Sequence, residues 1–401
     1  MRTLFIHQNF PAQFGSIAAA LAAEPGQEVA AIATETVGHI PDVRIHRYAF
    51  SQHDVGATHP FARRFDIECR RAEQILYVAS ELALSGFAPD VVVAHHGWGE
   101  TLPLRAAFPN ARIIAYCEYY YRPTGGDVGF DPVEVPLTRD AEVTLRLRNA
   151  STLLALAECD AAVSATPWQR STFPVEFQSK IQVCHEGVDT DRLRPNVDAS
   201  VSPRPGLVLR PGDEVVTFVA RDLEPIRGYP SFMRALPQVL RNRPNCHVLI
   251  VGGDGTSYGA APPVGDTWKA IGLRAVASEI DQSRVHFLGR LPYDNYVKVL
   301  QVSAVHVYLT APFVLSWSLI EAMSTGCAVI ASDVAPCRDV IDGDTGLLAD
   351  FFDADDLAFH IIHVLANRDH AKRLGRSARD LIERRYRSDT CIAAMRKIIG
   401  P

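Results

Sequence analysis

Short runs of apolar, often β-branched residues recur along the chain, separated by stretches in which apolar residues return every three or four positions. In the first half the runs are Thr3–His7, Val29–Ala33, Val91–Ala94, Arg112–Cys117, Ala161–Ser164 and Ile181–Cys184, with helical periodicity over Ser16–Glu24 and Arg63–Ser85. In the second half they are Val215–Val219, His247–Val251, Val285–Leu288, Ala304–Leu309, Ala328–Ala331 and Gly346–Ala349. Helical stretches at Tyr229–Asn242, Pro292–Ser303, Trp317–Met323 and Ala354–Ala366 alternate with them. Strands that are apolar throughout and alternate with helices predict parallel sheets covered on both faces. Two such series predict an α/β chain of two Rossmann-like domains whose sheets face across a cleft. The first domain is expected over 1–190 and the second over 191–385. Ala371–Ile399 reads as helical and Arg-rich, with 386–401 a terminal helix returning to the first domain. Residues 189–213 hold four prolines and little periodicity, which predicts a linker.

A chain of 401 residues, 47% of them hydrophobic, exceeds what one core normally accommodates. Charged residues are 21% and aromatic ones 8%, the composition of a folded soluble protein. No apolar run reaches the ~18 residues of a membrane span. The first strand starts almost at Met1, so no signal peptide is expected. The eight cysteines are scattered without a CxxC pair, which argues against structural zinc and a disulfide framework and for a reducing cytoplasm. A net charge of −6 argues against a nucleic-acid partner. The charge is uneven. Residues 1–190 carry 15 basic and 22 acidic side chains, and 191–401 carry 25 and 24. An anion would therefore sit more readily on the second half, unless the difference is only one of surface.

Ligands of parallel α/β sheets bind at the carboxyl ends of the strands. The first strand runs into His7-Gln8-Asn9-Phe10-Pro11, with Gly15 as the one glycine before the helix. No GxGxxG is present, which weakens a dehydrogenase reading. A polar, aromatic loop suits a sugar, or is a plain turn. Val91–Ala94 ends in His95-His96-Gly97-Trp98-Gly99-Glu100. Adjacent histidines diverge and no third ligand is near, so a metal is not expected; His95 beside Trp98 can contact a sugar, or is structural. Glu118 follows Arg112–Cys117, where a carboxylate accepts hydroxyls or acts as a base. Tyr119, Tyr120 and Tyr121 either stack on a sugar or anchor the next loop.

In the second half, Arg221 and Arg227 stand where the first strand gives way to a helix. Two guanidinium groups beside a helix N-terminus suit a diphosphate; the alternative is a pair of surface arginines. Gly252–Gly255 forms a glycine turn, and Phe287–Pro292 a turn against which a base can lie. Leu309–Met323 reads as strand end, loop and helix, with amides of Leu315, Ser316 and Trp317 available to phosphate. Glu321 sits among apolar helix neighbours and needs a partner, either ribose hydroxyls or an arginine.

At these residues the chain resembles the GT-B glycosyltransferases of family 4, over essentially its whole length. The resemblance is carried by Arg221…Arg227-Gly228, His185-Glu186-Gly187-Val188-Asp189, Gly252–Gly255 and Glu321-Ala322-Met323-Ser324-Thr325-Gly326. His7–Pro11, Trp168-Gln169-Arg170-Ser171 and Phe313–Ser318 are similar to a bacterial subgroup concerned with polysaccharide assembly. It implies retaining, metal-independent transfer of a sugar, without a cofactor, from a nucleoside-diphosphate donor. The acceptor would be a glycan, a lipid-linked sugar or a small molecule, handled in the cytoplasm or at the inner face of the membrane.

By position, Arg221 and Arg227 would neutralise the diphosphate and Glu321 would hold the ribose. Gly15, Gly253, Arg290, Leu291, Leu315, Ser316 and Trp317 would complete the donor site. Glu118 and His95 would face the reacting sugar, and His96, Trp98, Tyr119 and Tyr120 the acceptor. Three positions depart from the family. Arg227 replaces a common Lys, Phe313 replaces the first of two paired Glu, and a donor-contacting His near Cys117 is missing. A GT-B nucleotide-sugar epimerase and a non-catalytic nucleotide-sugar-binding protein are the rival readings.

Overall fold

The computed structural model describes residues 1–34, 39–51, 54–133 and 136–400. The chain divides into two compact units, Met1–Gly187 with Ser388–Pro401, and Val188–Arg387. The boundaries expected at 190 and 386 are thus displaced by two or three residues. They fall where the Val188 amide donates to the Tyr386 carbonyl, tying entry to exit within the second unit.

The first unit holds strands β1 (Arg2–Ile6), β2 (Glu28–Ala33), β3 (Val43–Arg47), β4 (Val91–His95), β5 (Arg112–Tyr116), β6 (Ala161–Ser164) and β7 (Ile181–Val183). They form one sheet in the order β3-β2-β1-β4-β5-β6-β7, parallel throughout. Alternate β1 side chains serve the two faces, as the two-residue period of a strand requires. Leu4 and Ile6 join Ile75, Ala79 and Leu82 of the helix Arg63–Leu84. Phe5 joins Phe14 of the turn Ala12–Phe14, Ile17 of the helix Gly15–Ala22, and Met395, Ile398 and Ile399 on the terminal helix Ser388–Ile399. Burying each of these three terminal side chains stabilises by roughly 1.5–3 kcal/mol relative to exposure. Arg396 adds a bond to the Ala20 carbonyl at 3.0 Å and an ion pair with Glu24.

The second unit opens with a hairpin, β8 (Val201–Arg204) and β9 (Leu207–Leu209), then β10 (Val215–Asp222), β11 (His247–Gly253), β12 (Val285–Gly289), β13 (Val305–Tyr308), β14 (Ala328–Ser332) and β15 (Leu347–Ala349). The main sheet has the order β12-β11-β10-β13-β14-β15. In both sheets the order reverses beside the first strand of the sheet, between β1 and β4 and between β10 and β13. These are the topological switch points where a parallel sheet opens a crevice at its carboxyl edge.

Three expectations need correction. Residues 189–213 are not a bare linker: Ala199 and Leu209 are buried with Val215, Leu249 and Val299, and Pro205-Gly206 turns the hairpin, Gly206 at φ 80°. β3 was not foreseen, because an edge strand with two arginines and a histidine lacks an apolar run. The helical stretch over 371–399 starts earlier, at Arg368, and is divided at the unit boundary into Arg368–Arg385 and Ser388–Ile399.

Gly187 sits at φ 80°, and a Cβ there would lie 2.6 Å from the Ser388 Cα. We expect Gly187→Ala to cost about 1–3 kcal/mol by forcing the terminal helix off the first unit. An unchanged melting temperature would contradict this role.

Candidate active site

At the switch point of the first unit, His7 follows β1 and His95 ends β4. His7 Nδ1 accepts from the Asn9 amide at 2.9 Å, so the neutral ring carries its proton on Nε2. His95 Nδ1 accepts from the Gly97 amide at 3.0 Å, which likewise leaves the proton of the neutral ring on Nε2. That atom lies 3.4 Å from Glu118 Oε2, an ion-pair contact rather than a well-formed hydrogen bond. Gln13 Nε2 donates to the other Glu118 oxygen at 2.8 Å. His7 Nε2, His95 Nε2 and Gln13 Oε1 are buried without a hydrogen-bond partner among the described residues. The Glu118 carboxylate beside them is 30% exposed, so hydroxyls can reach it and donate to it.

The electrostatics fit neutral His7 and His96 rings beside an anionic Glu118. Burial, reinforced by His95, pushes His7 down to about 3, and the same two causes bring His96 to about 3. Burial alone would raise the Glu118 carboxyl, but the His95 imidazole facing it holds it below its ordinary value.

His96 is not open to an acceptor. Its Nδ1 meets Thr152 Oγ1 at 2.7 Å and its Nε2 accepts from the Glu118 amide at 3.1 Å. Gln169 Nε2 donates to the Glu118 carbonyl at 2.8 Å, so both residues fix the backbone that carries Glu118. Trp98 stacks on His95 with ring centroids 4.2 Å apart and remains partly exposed. Tyr119 is buried with its hydroxyl on Asp127 at 2.9 Å, and Tyr120 packs on Phe173. The Tyr119 hydroxyl therefore holds the following loop, as one of its two expected readings had it. Gly15 starts its helix at φ −54°, and a Cβ there would meet only Pro11 at 3.5 Å, so no close backbone approach requires glycine.

At the second switch point β10 runs to Asp222, three residues further than expected, so Arg221 lies within the strand. Arg221 is exposed, whereas Arg227 is only 9% exposed. Arg227 Nη1 donates to Thr310 Oγ1 at 2.8 Å and to the Val314 carbonyl at 3.4 Å. The rings of Tyr258 and Phe313 lie 5.4 and 5.9 Å from its guanidinium carbon. No carboxylate pairs with it among the described residues. Gly228 occupies φ 68° against the Leu309 side chain, which lets the helix Tyr229–Asn242 start beside β13.

The helix Trp317–Ser324 begins on the same crevice. The Ser316 amide is taken by Tyr308 Oη at 2.8 Å, and the Ser318 amide by Ser316 Oγ at 3.4 Å. The amides of Leu315 and Trp317 have no acceptor among the described residues. Glu321 is 8% exposed, and its partner is not an arginine: Tyr293 and Tyr296 donate to its two oxygens at 2.7 and 2.6 Å. Burial raises its carboxyl, although both hydroxyls work against the rise. Arg290 donates to Asp222 at 2.7 Å, a pair that fits because residue 253 has no side chain, and Leu291 packs beside the Leu249 cluster. Among the described residues no group of three His, Cys, Asp or Glu could hold a metal, and no helix is long and apolar enough to cross a membrane.

Two doubly wound parallel sheets in one chain define the GT-B architecture. A sucrose-phosphate synthase from Thermosynechococcus elongatus shares the fold at TM-score 0.72 and 19% identity, covering 99% of this chain and 98% of that one. The Anabaena HepE complex with UDP and glucose does so at 0.69 and 13%, covering 100% and 99%. The model described as "Glycosyl transferase family 4 group" matches residues 25–193, and "Glycosyl transferases group 1" matches 213–367. The chain belongs to the family-4 GT-B glycosyltransferases. D-inositol 3-phosphate glycosyltransferase of Nocardia farcinica is 32% identical over 49% of this chain and 42% of its own. The chain thus spans under half the length of the first relatives it matches. GDP-mannose-dependent alpha-(1-6)-phosphatidylinositol monomannoside mannosyltransferase of Mycobacterium tuberculosis is 24% identical over 98% and 97%.

Tyr296→Phe removes the donor to Glu321 Oε2. We expect a loss of about 1–3 kcal/mol in unfolding free energy, the cost of a buried acceptor left unpaired. Chemical denaturation giving wild-type stability would contradict the assignment.

Proposed function

We propose that this chain is a retaining, metal-independent glycosyltransferase that moves a hexosyl group from a nucleoside-diphosphate sugar to a sugar or lipid-linked acceptor. The observation that carries the reading is Arg227, a nine-tenths buried guanidinium with no carboxylate partner among the described residues. A buried cation is costly unless an anion answers it, and the unengaged Leu315 and Trp317 amides point to the same chemistry. The lipid-linked option draws on the phosphatidylinositol monomannoside in the name of the mycobacterial relative.

Charge builds on the diphosphate as the bond from the anomeric carbon to its oxygen breaks. Arg227 and the amides stabilise that charge more strongly than they do the intact donor, which is what lowers the barrier. Exposed Arg221 contributes at longer range. Glu321 retains lone pairs beyond the two tyrosine bonds, so ribose hydroxyls can donate to it. On the first unit, Glu118 and the His7 and His95 N–H groups orient hydroxyls. The acceptor's proton passes to the departing phosphate oxygen on the same face, and the new bond keeps the configuration of the old one. Glu118 attacks no carbon in this scheme.

Two variants separate the roles. Arg227→Ala should lower kcat/KM by about two to three orders of magnitude, the effect of removing one preorganised charge. Glu118→Gln should slow transfer while leaving nucleoside-diphosphate affinity within about twofold of wild type, because Glu118 does not contact the nucleotide in this scheme. Turnover is read with UDP-, GDP- and ADP-sugars, with and without acceptor. Full activity of Arg227→Ala sinks the proposal, a glycosylated Glu118 replaces its mechanism by covalent catalysis, and epimerised donor formed without acceptor favours an epimerase.

A further inference from the structure

Two carboxylates flank the approach to Arg227 in sequence, Asp222 and Glu224, and both are almost completely buried, at 2% and 1% exposure. Neither pairs with Arg227. Glu224 Oε1 accepts from three successive amides of the loop after β11, Ser257 at 2.9 Å, Tyr258 at 3.1 Å and Gly259 at 2.9 Å. Asp222 accepts from the Gly255 amide at 3.2 Å, from Arg290 at 2.7 Å and from the Ser257 hydroxyl. Five donors of one short loop are therefore taken up by two acids at the end of β10. Three consecutive N–H groups turned to one point form a concavity suited to an anion, and here the protein's own carboxylate fills it.

The loop held in this way carries Tyr258. Its ring stands 5.4 Å from the Arg227 guanidinium carbon and 5.4 Å from the Phe313 ring, while 46% of the residue is exposed. Tyr258 makes no side-chain hydrogen bond among the described residues, so packing of the ring and the grip on its amide set its position. A ring over the guanidinium excludes water from one face of the cation. In that lower local dielectric each remaining N–H acts more strongly on a phosphate.

We infer that Asp222 and Glu224 form a carboxylate clamp that positions Tyr258 as an aromatic wall of the diphosphate site. The inference rests on the reading of Arg227 as the diphosphate cation. Asp222 and Glu224 are positioning residues acting through the loop, and Tyr258 acts through Arg227. The clamp also keeps two nearby acids occupied with the loop. Arg227 therefore retains its full charge for the ligand.

The test is the affinity of the full chain for inorganic pyrophosphate, which carries no base or sugar, measured by calorimetry at two ionic strengths and accompanied by melting curves. Tyr258→Ala and Glu224→Ala should each weaken binding by about fivefold and make it more sensitive to salt, because water then reaches the cation. Tyr258→Phe should bind as wild type does, since the ring and not the hydroxyl is used. Tyr258 is half exposed, so its variants test the inference even where Glu224→Ala does not fold. Arg227→Ala in the same assay separates the two claims. If it abolishes binding while Tyr258→Ala leaves affinity and salt dependence unchanged, the clamp is overturned and the diphosphate reading stands. If Arg227→Ala binds pyrophosphate normally, the reading itself fails.

Discussion

A guanidinium cannot be taken out of water cheaply, and the second unit is arranged around one that is. Arg227 reaches the end of β13 only because Gly228 permits a left-handed turn against Leu309. There it finds a hydroxyl, a carbonyl and two ring faces, which satisfy part of its hydrogen-bonding capacity and none of its charge. Asp222 and Glu224, the acids nearest to it in sequence, are committed to the loop at 255–259. The folded state thus holds a preorganised cation next to unengaged helix amides, a combination that favours an anion with several oxygens.

The first unit repeats the topology with opposite electrostatics. Its switch point gathers His7, made neutral by burial, with His95, a glutamine and a carboxylate held anionic. Such a set exchanges hydrogen bonds with hydroxyls and offers no fixed positive charge. The uneven distribution of charge along the chain, 15 basic against 22 acidic residues in the first 190 and 25 against 24 in the rest, runs in the same direction.

The parallel sheets were legible because apolar strands at their centres, such as Val91–His95 and Ala328–Ser332, leave an unmistakable run. Elements that bury little were not. The edge strand Val43–Arg47 and the helix Arg139–Leu147, which buries no residue, lack such a signal. Pro205-Gly206 was a turn signal hidden in a segment taken for linker. The chemistry divides similarly. Glu118, His95 and Arg227 were singled out from their place after strands, since topology alone puts such residues at the carboxyl edge. Their partners were not. Gln13 meets Glu118 across 105 positions, Glu224 meets its loop 33 to 35 residues on, and Tyr293 and Tyr296 meet Glu321 from another helix. His96 read as a ligand contact because sequence does not show which ring nitrogens the fold has already used.

The most direct measurement is a crystal structure of the chain with a nucleoside diphosphate bound. The account predicts phosphate oxygens within hydrogen-bond distance of the Arg227 guanidinium and of the Leu315 or Trp317 amides, with Tyr258 still against Arg227. A nucleotide bound elsewhere, with Arg227 paired to Asp222 or Glu224, would contradict it.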